Sequence, residues 1–211
     1  AAGGQAGSRA YLALVGDVGD PAAVTAMVER CMTRFGGIDV LVTCAGTGEG
    51  TGLPRPVADL DLATWRRVLA ANLDGVYLTN RAVVRVMMRA GRGRIVNLGS
   101  ALTPYGLHGR AMAAAYASSK FAVVGFTRVL AHEAAAYGVW VDALHPGPVD
   151  TPLIRDTSLA RPFGGTVAPD DFATALVDWL ALQSDRLRVR EARVLPVPVD
   201  RPEASRRGTR G

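Results

Sequence analysis

The segment RIVNLGS, residues 94–100, decides how the chain folds. It begins as a short, nearly continuous apolar run with β-branched residues, which is typical of a strand buried on both faces of a sheet. A polar residue, Ser100, stands just past the point where that strand is expected to end. Ligands of open parallel sheets bind beyond the carboxyl ends of the strands, so Ser100 is expected at a ligand crevice.

Similar apolar runs recur along the chain and alternate with longer helical patterns. The other candidate strands are AYLALV (10–15), IDVLVTCA (38–45), VWVDALHP (139–146) and ARVLPVPV (192–199). Helical patterns cover 21–35, 62–90, 111–138 and 168–183; Asp20 and Asp61 stand where helix N-caps are favoured. This alternation predicts βαβ units, a parallel sheet and an α/β domain over residues 1–200. Residues 201–211 are predicted to form a basic, disordered tail.

Composition limits the classes of function that the chain can have. A chain of 211 residues with 49% hydrophobic and 20% charged residues suits one globular domain. The net charge is +5, but the arginines are scattered and lack interleaved aromatics, so no nucleic-acid partner is expected. Cys31 and Cys44 form no disulfide or metal spacing, and the three histidines are not grouped, so no metal is expected. No run of 18 apolar residues and no signal-peptide pattern occurs, so we expect a cytoplasmic protein without a membrane partner.

The segment YASSK, residues 116–120, contains the only lysine among the 24 basic residues. It lies inside the third helical pattern, where Tyr116 and Lys120 share a face because they are four residues apart. A neighbouring cation lowers the pKa of a phenol, which is ordinarily about 10, and favours proton exchange nearer to neutral pH. Taken alone, the pair could equally be a surface contact. Ser100, expected at the same edge of the sheet, is a candidate third member of the group.

Six segments in this order closely resemble motifs of the short-chain dehydrogenase/reductase family. They are GDVGD (16–20), TCAG (43–46), ANLDG (71–75), IVNLGS (95–100), YASSK (116–120) and HPGPVDTP (145–152). The resemblance implies a Rossmann-like, doubly wound parallel sheet. It also implies an NAD- or NADP-dependent oxidoreductase, with the choice of cofactor open, that interconverts ketones and secondary alcohols. The segment at 145–152 also looks like that of 3-oxoacyl-thioester reductases.

The resemblance further implies the roles of individual residues. Tyr116 would be the general acid in reduction and the general base in oxidation, and Lys120 would lower its pKa and bind the nicotinamide ribose. Ser100 would hold the substrate oxygen, and Asn72 would support a water in a proton relay. Asn72, Tyr116 and Lys120 would also contact the cofactor. The other expected cofactor contacts are Asp17, Val18, Cys44, Ala45, Gly46, Pro146, Gly147, Val149 and Thr151. The helices that contain Asn72 and Tyr116 would pair subunits into a homodimer or homotetramer.

The sequence departs from the family pattern mainly at its start. AAGGQAGSRA (1–10) contains glycines, but no strand precedes them, so we expect that the family's first strand, glycine-rich phosphate turn and second strand are missing. AYLALV would then lack a neighbour, and IDVLVTCA would expose an apolar edge. Three explanations remain open: an N-terminally truncated sequence, a segment supplied by another chain, or a relative that binds a nucleotide or partner subunit without turnover. Thr43 and Cys44 also stand where two asparagines are usual.

Overall fold

A three-stranded parallel sheet lies at the centre of the computed structural model, which describes residues 11–50, 55–101, 113–155 and 165–182. The strands are β1 (Val40–Thr43), β2 (Gly93–Leu98) and β3 (Val139–Leu144), in the order β1-β2-β3. The helices are α1 (Pro21–Phe35), α2 (Leu62–Leu69), α3 (Gly75–Ala90), α4 (Ala114–Ala135), α5 (Pro152–Arg155) and α6 (Pro169–Leu182). A 3₁₀ turn spans Val57–Asp59, and a π-helical turn spans Ala70–Asp74. The alternation of strands and helices confirms the predicted α/β class.

Helices pack on both faces of this sheet, as the apolar runs predict. Ile95 and Val141, opposite each other in register, pack with the buried faces of α3 and α4. Val96 and Leu144 point to the other face and pack with Leu176 of α6. Successive strand residues therefore serve two cores, which explains why adjacent positions of β2, Ile95 and Val96, are both apolar.

Local capping signals define the helix ends where the sequence predicts them. The Asp20 carboxylate accepts a hydrogen bond of 2.9 Å from the Ala22 amide at the start of α1. The Asp61 carboxylate does the same for α2, at 2.7 Å from the Thr64 amide. Gly91, with φ of 68°, ends α3 in the left-handed conformation that glycine adopts most easily.

The prediction of a strand at AYLALV is wrong over the residues that the structure describes. Residues 11–15 form neither helix nor strand, and Tyr11 and Val15 are 88% and 105% exposed. The reason is that a strand needs a partner for its backbone hydrogen bonds, and within the described residues none pairs with this segment. β1 is accordingly an edge of the described sheet, with Val40 exposed. The predicted strand ARVLPVPV and the tail 201–211 lie outside the described residues.

The long helix predicted over 62–90 is interrupted in its middle. α2 ends at Leu69, the π-helical turn Ala70–Asp74 follows, and α3 continues from Gly75. Turns of this kind occur mostly as local bulges and frequently at functional sites. Here the turn contains Asn72, which is completely buried. Within the described ranges, no helix has the length and apolar character needed to cross a membrane.

Candidate active site

Lys120 lies one helical turn after Tyr116 on α4, and its ammonium group is buried beside the sheet. Its Nζ lies 5.8 Å from the centre of the Tyr116 ring and donates a hydrogen bond of 2.8 Å to the carbonyl of Leu98, the last residue of β2. The side chain is only 6% exposed, and this burial lowers the pKa of Lys120 from 10.5 to about 8. The predicted pair is therefore an internal feature of the fold and not a surface contact.

Ser100 and Tyr116 come together at the carboxyl end of β2. Ser100 follows the strand by two residues, and its side chain forms a hydrogen bond with the Tyr116 side chain. Burial raises the pKa of Tyr116 above its ordinary value of 10.0, and the bond to Ser100 only partly offsets the rise. Burial therefore sets the direction of the net change, and the Lys120 ammonium is directed to the Leu98 carbonyl. The lowering of this pKa by Lys120 stays a prediction.

The backbone of Ser100 is held by His145, which follows β3 directly. The His145 Nδ1 lies 3.3 Å from the Ser100 amide nitrogen and 3.2 Å from the Ser100 carbonyl oxygen. One tautomer accepts from the amide, and the other donates to the carbonyl. Burial lowers the pKa of His145, which favours the neutral ring. A Cβ on Gly99 would lie 2.4 Å from Nδ1, so a glycine before Ser100 permits this close packing.

Asn72 connects the loop after β1 to the helix that contains Tyr116. Its Oδ1 accepts from the Thr47 amide at 2.7 Å, and its Nδ2 donates to the Thr47 carbonyl at 2.9 Å. The same Nδ2 donates to Ser119 Oγ at 3.1 Å, and Ser119 Oγ donates to the Tyr116 carbonyl at 2.7 Å. The four predicted catalytic residues thus belong to one group of contacts around the carboxyl ends of β1 and β2.

Several of the predicted cofactor residues line one partly open groove beside β1. The groove has a volume of about 110 Å³, and Val18, Cys44 and Ala45 contribute to its wall. Gly46 adjoins the catalytic group, because a Cβ there would lie 3.1 Å from Asn72 Oδ1. Asp17 is not among the groove residues; its carboxylate accepts from the Gly19 amide at 2.8 Å and shapes the turn before α1.

The predicted cofactor residues that follow β3 make a separate set of contacts. The Pro146 carbonyl accepts from the Ala101 amide at 3.0 Å, which ties this connection to the residue after Ser100. Gly147 follows with open space around its Cα. Val149 pairs with Val167 in an isolated bridge, and the Thr151 carbonyl accepts from Ile154 at 2.9 Å at the start of α5. Among the described contacts, none joins Val149 or Thr151 to the Tyr116 group.

Thr43 supplies a hydrogen bond where the family pattern has an asparagine. Its hydroxyl donates to Asn97 Oδ1 at 2.9 Å, and Asn80 Nδ2 donates to the same oxygen at 2.8 Å. Asn97 Nδ2 in turn donates to Asn80 Oδ1 and to Thr127 Oγ1, both at 3.1 Å. This buried network joins β1 and β2 to α3 and α4 despite the departure. Cys44, the next residue, is exposed.

Sequence reasoning missed four residues that build the site: Thr47, Glu49, Ser119 and His145. Ser119 lies inside YASSK, and His145 immediately follows an apolar strand, so position alone could have indicated both. Thr47 and Glu49 lie in a glycine-rich loop with no such signal. Within the described ranges, no group of three or more His, Cys, Asp or Glu could hold a metal ion.

Comparisons with known proteins agree with this arrangement. The family model described as "short chain dehydrogenase" matches residues 2–161. A cis-4-hydroxycyclohexanecarboxylate dehydrogenase of Sinomonas cyclohexanicum is 40% identical over 168 residues, covering 76% of this chain and 65% of that protein. A 3-alpha-(or 20-beta)-hydroxysteroid dehydrogenase of Mycobacterium tuberculosis is 44% identical over 138 residues, covering 65% of this chain and 50% of that protein.

A solved structure supports the same conclusion. The 3-ketoacyl-(acyl-carrier-protein) reductase from Brucella melitensis, complexed with NADH, superposes with a TM-score of 0.77 at 29% identity. The match covers 87% of this chain and 76% of that one. The chain spans less than two thirds of the length of the two curated relatives. Because the family model matches well over half of the sequence, the chain belongs to the short-chain dehydrogenase family.

Proposed function

We propose that the protein is an NAD- or NADP-dependent oxidoreductase that transfers a hydride between the nicotinamide and a ketone or secondary alcohol. The observation that carries the proposal is the convergence of Ser100, Tyr116 and Lys120 at the carboxyl end of β2, with Asn72 joined to Tyr116 through Ser119. Proton donors of these types beside a carbonyl are what such a reaction requires.

Each side chain then has a distinct part in the reaction. In reduction, the Tyr116 hydroxyl donates its proton to the carbonyl oxygen, and the Ser100 hydroxyl orients that oxygen. In oxidation, Tyr116 accepts the proton of the alcohol, so this direction should become faster as the pH rises toward the raised pKa of Tyr116. Lys120 places a cation beside the phenol, and Asn72 fixes the loop that contains Gly46.

The described residues at the expected cofactor positions are compatible with a nicotinamide cofactor. Gly46 lies beside Asn72, and a Cβ at this position would come within 3.9 Å of Lys120 Nζ. The absence of a side chain there leaves room for a ring and ribose at the catalytic group. Val18 and Ala45, two further expected cofactor contacts, line the small groove beside β1. When bound, the nicotinamide supplies or accepts the hydride, while the protein orients the reactants.

We also propose small carbonyl or alcohol substrates and a homodimer or homotetramer. The curated relatives are named for cyclic alcohols, and the solved structure for a 3-ketoacyl thioester, so these classes form the first substrate panel. Tyr77, Phe121 and Val129 are exposed large apolar residues on α3 and α4, the helices on which pairing is expected. Light scattering on the purified chain will test the assembly.

The test of the function is a titration with NADH and NADPH followed by a substrate panel. Energy transfer from Trp65, Trp140 or Trp179 reports binding, and circular dichroism reports folding. We expect saturable binding of one cofactor and turnover that Tyr116→Phe removes without unfolding the chain. Unchanged turnover in Tyr116→Phe would contradict the assignment. Binding without turnover on any substrate would favour the alternative, a relative that binds a nucleotide without catalysis.

A further inference from the structure

Glu49 lies in the loop after β1 and reaches the start of α4, the helix that contains Tyr116. Its Oε1 accepts hydrogen bonds from the amides of Ala115, at 2.7 Å, and Tyr116, at 3.3 Å. The two partners are 66 and 67 residues away along the chain. The contact is therefore tertiary, and it joins two segments that border the candidate active site.

Helix α4 lacks a capping side chain of its own. The residue at its N-cap position is Ala113, which offers no side-chain acceptor, and the first turn contains no acidic residue. Amides in the first turn of a helix have no partner within the helix and favour a nearby negative charge. The Glu49 carboxylate supplies both the acceptor and the charge.

The loop that presents Glu49 is itself fixed. Asn72 bonds both the amide and the carbonyl of Thr47. Arg67 Nη1 donates to Thr47 Oγ1 at 3.2 Å and to the Gly48 carbonyl at 3.3 Å. Because its two predecessors are held in this way, Glu49 acts from a defined position and not from a freely moving loop.

We propose that Glu49 is a positioning residue that sets the place of the Tyr116 phenol by capping the first turn of α4. This inference rests on the proposed function. Tyr116 is the third residue of α4, so a loosened first turn displaces it directly. Lys120 lies one turn further and is held separately by the Leu98 carbonyl. Loss of the cap thus changes the geometry between Tyr116 and its partners while Lys120 and the other expected cofactor-binding residues stay in place.

The kinetic test compares Glu49→Ala, Glu49→Gln and Asp61→Ala. Glutamine keeps the capping acceptor, and Asp61→Ala removes a carboxylate cap from α2 instead, where it bonds Thr64. We expect kcat of Glu49→Ala to fall about tenfold, with the Kd for cofactor within about twofold, since displacements of about 1 Å can slow reactions 10²-fold. Glu49→Gln should stay within about threefold of the unmodified chain. Equal losses in Glu49→Gln or in Asp61→Ala, or an unchanged kcat in Glu49→Ala, would overturn the proposal.

A second measurement needs no turnover and separates this proposal from the proposed function. The chain is labelled with 3-fluorotyrosine, and the ¹⁹F resonance of Tyr116 is assigned by its loss in Tyr116→Phe. We expect that resonance to shift or broaden in Glu49→Ala and to keep its place in Glu49→Gln and Asp61→Ala. An unmoved resonance in Glu49→Ala overturns the positioning role. If the resonance responds as expected in a chain that turns over no substrate, only the proposed function fails.

Discussion

The buried ammonium of Lys120 makes the stability of the fold depend on pH in a way that one substitution can isolate. Lys120 is 6% exposed, and burial lowers its pKa from 10.5 to about 8. One pKa unit corresponds to about 1.4 kcal/mol, so the folded chain disfavours the ammonium relative to the neutral amine by about 3 kcal/mol more than the unfolded chain does. Lys120→Met keeps a side chain of similar length and removes the titrating group.

The sign of the effect follows from the two pKa values. Between pH 8 and 10.5 the unfolded chain binds more protons at this position than the folded chain, so the free energy of unfolding rises with pH. The contribution is complete above the unfolded pKa and is lost as the pH falls through the folded pKa. From pH 7 to pH 9.5 it amounts to roughly 2 kcal/mol. The Tyr116 phenol stays protonated in this window because its pKa is raised.

Urea denaturation followed by circular dichroism at pH 7 and pH 9.5 measures the effect. Both chains carry Cys44→Ser, because the Cys44 thiol is itself titratable and interacts electrostatically with Lys120. The chain with Lys120 should gain roughly 2 kcal/mol relative to Lys120→Met between the two pH values. Lys120→Met also loses the hydrogen bond to Leu98, but that loss is about the same at pH 7 and at pH 9.5 and cancels when the two pH values are compared. A difference between the chains that stays constant within about 0.5 kcal/mol would refute the reasoning.

Two further substitutions test the packing around the site. Gly99→Ala places a Cβ 2.4 Å from His145 Nδ1 and should destabilise the fold by about 1–3 kcal/mol, whereas Gly37→Ala meets no atom within 4 Å and should change the free energy of unfolding by less than about 0.5 kcal/mol. Urea denaturation of both variants measures these changes, and equal effects of Gly99→Ala and Gly37→Ala would contradict the close packing. Thr43→Val removes one of the two donors to Asn97 Oδ1 and should lower the free energy of unfolding by about 1 kcal/mol, because a second donor remains. A loss above about 3 kcal/mol would mean that the network depends on Thr43 far more than its geometry indicates.

Local signals made much of this fold predictable from the sequence. Asp20, Asp61 and Gly91 act through residues a few positions away, so their effect can be read without knowing the fold. β3 lies inside its predicted range, and β2 begins only one residue before its own, at Gly93, because a strand buried on both faces must be apolar along most of its length. Ser100 is predictable at the ligand edge because it follows the carboxyl end of such a strand, where ligands of parallel sheets bind.

The wrong or missing predictions depend on partners distant in the sequence. Residues 11–15 have the composition of a strand, but a strand also requires a neighbour, which composition does not reveal. The π-helical turn around Asn72 leaves the apolar pattern of its helix intact, so periodicity predicts one continuous helix. Glu49 caps a helix more than 60 residues away, and no short motif records such a contact.

The buried surroundings of its charged group explain why residue 120 is a lysine in a chain that otherwise uses arginine. Lys120 Nζ is buried and, among the described residues, donates to one carbonyl, that of Leu98. A guanidinium has five donors in a fixed plane and does not lose its proton in proteins, so in this position it would leave buried donors unsatisfied and a charge that cannot be neutralised. An ammonium is compact, and its pKa of about 8 leaves it able to release a proton at moderate cost. The burial that raises the pKa of Tyr116 thus also selects lysine as its neighbour, and a Lys120→Arg variant would be expected to disturb the site through packing and hydrogen bonding even though it keeps the charge.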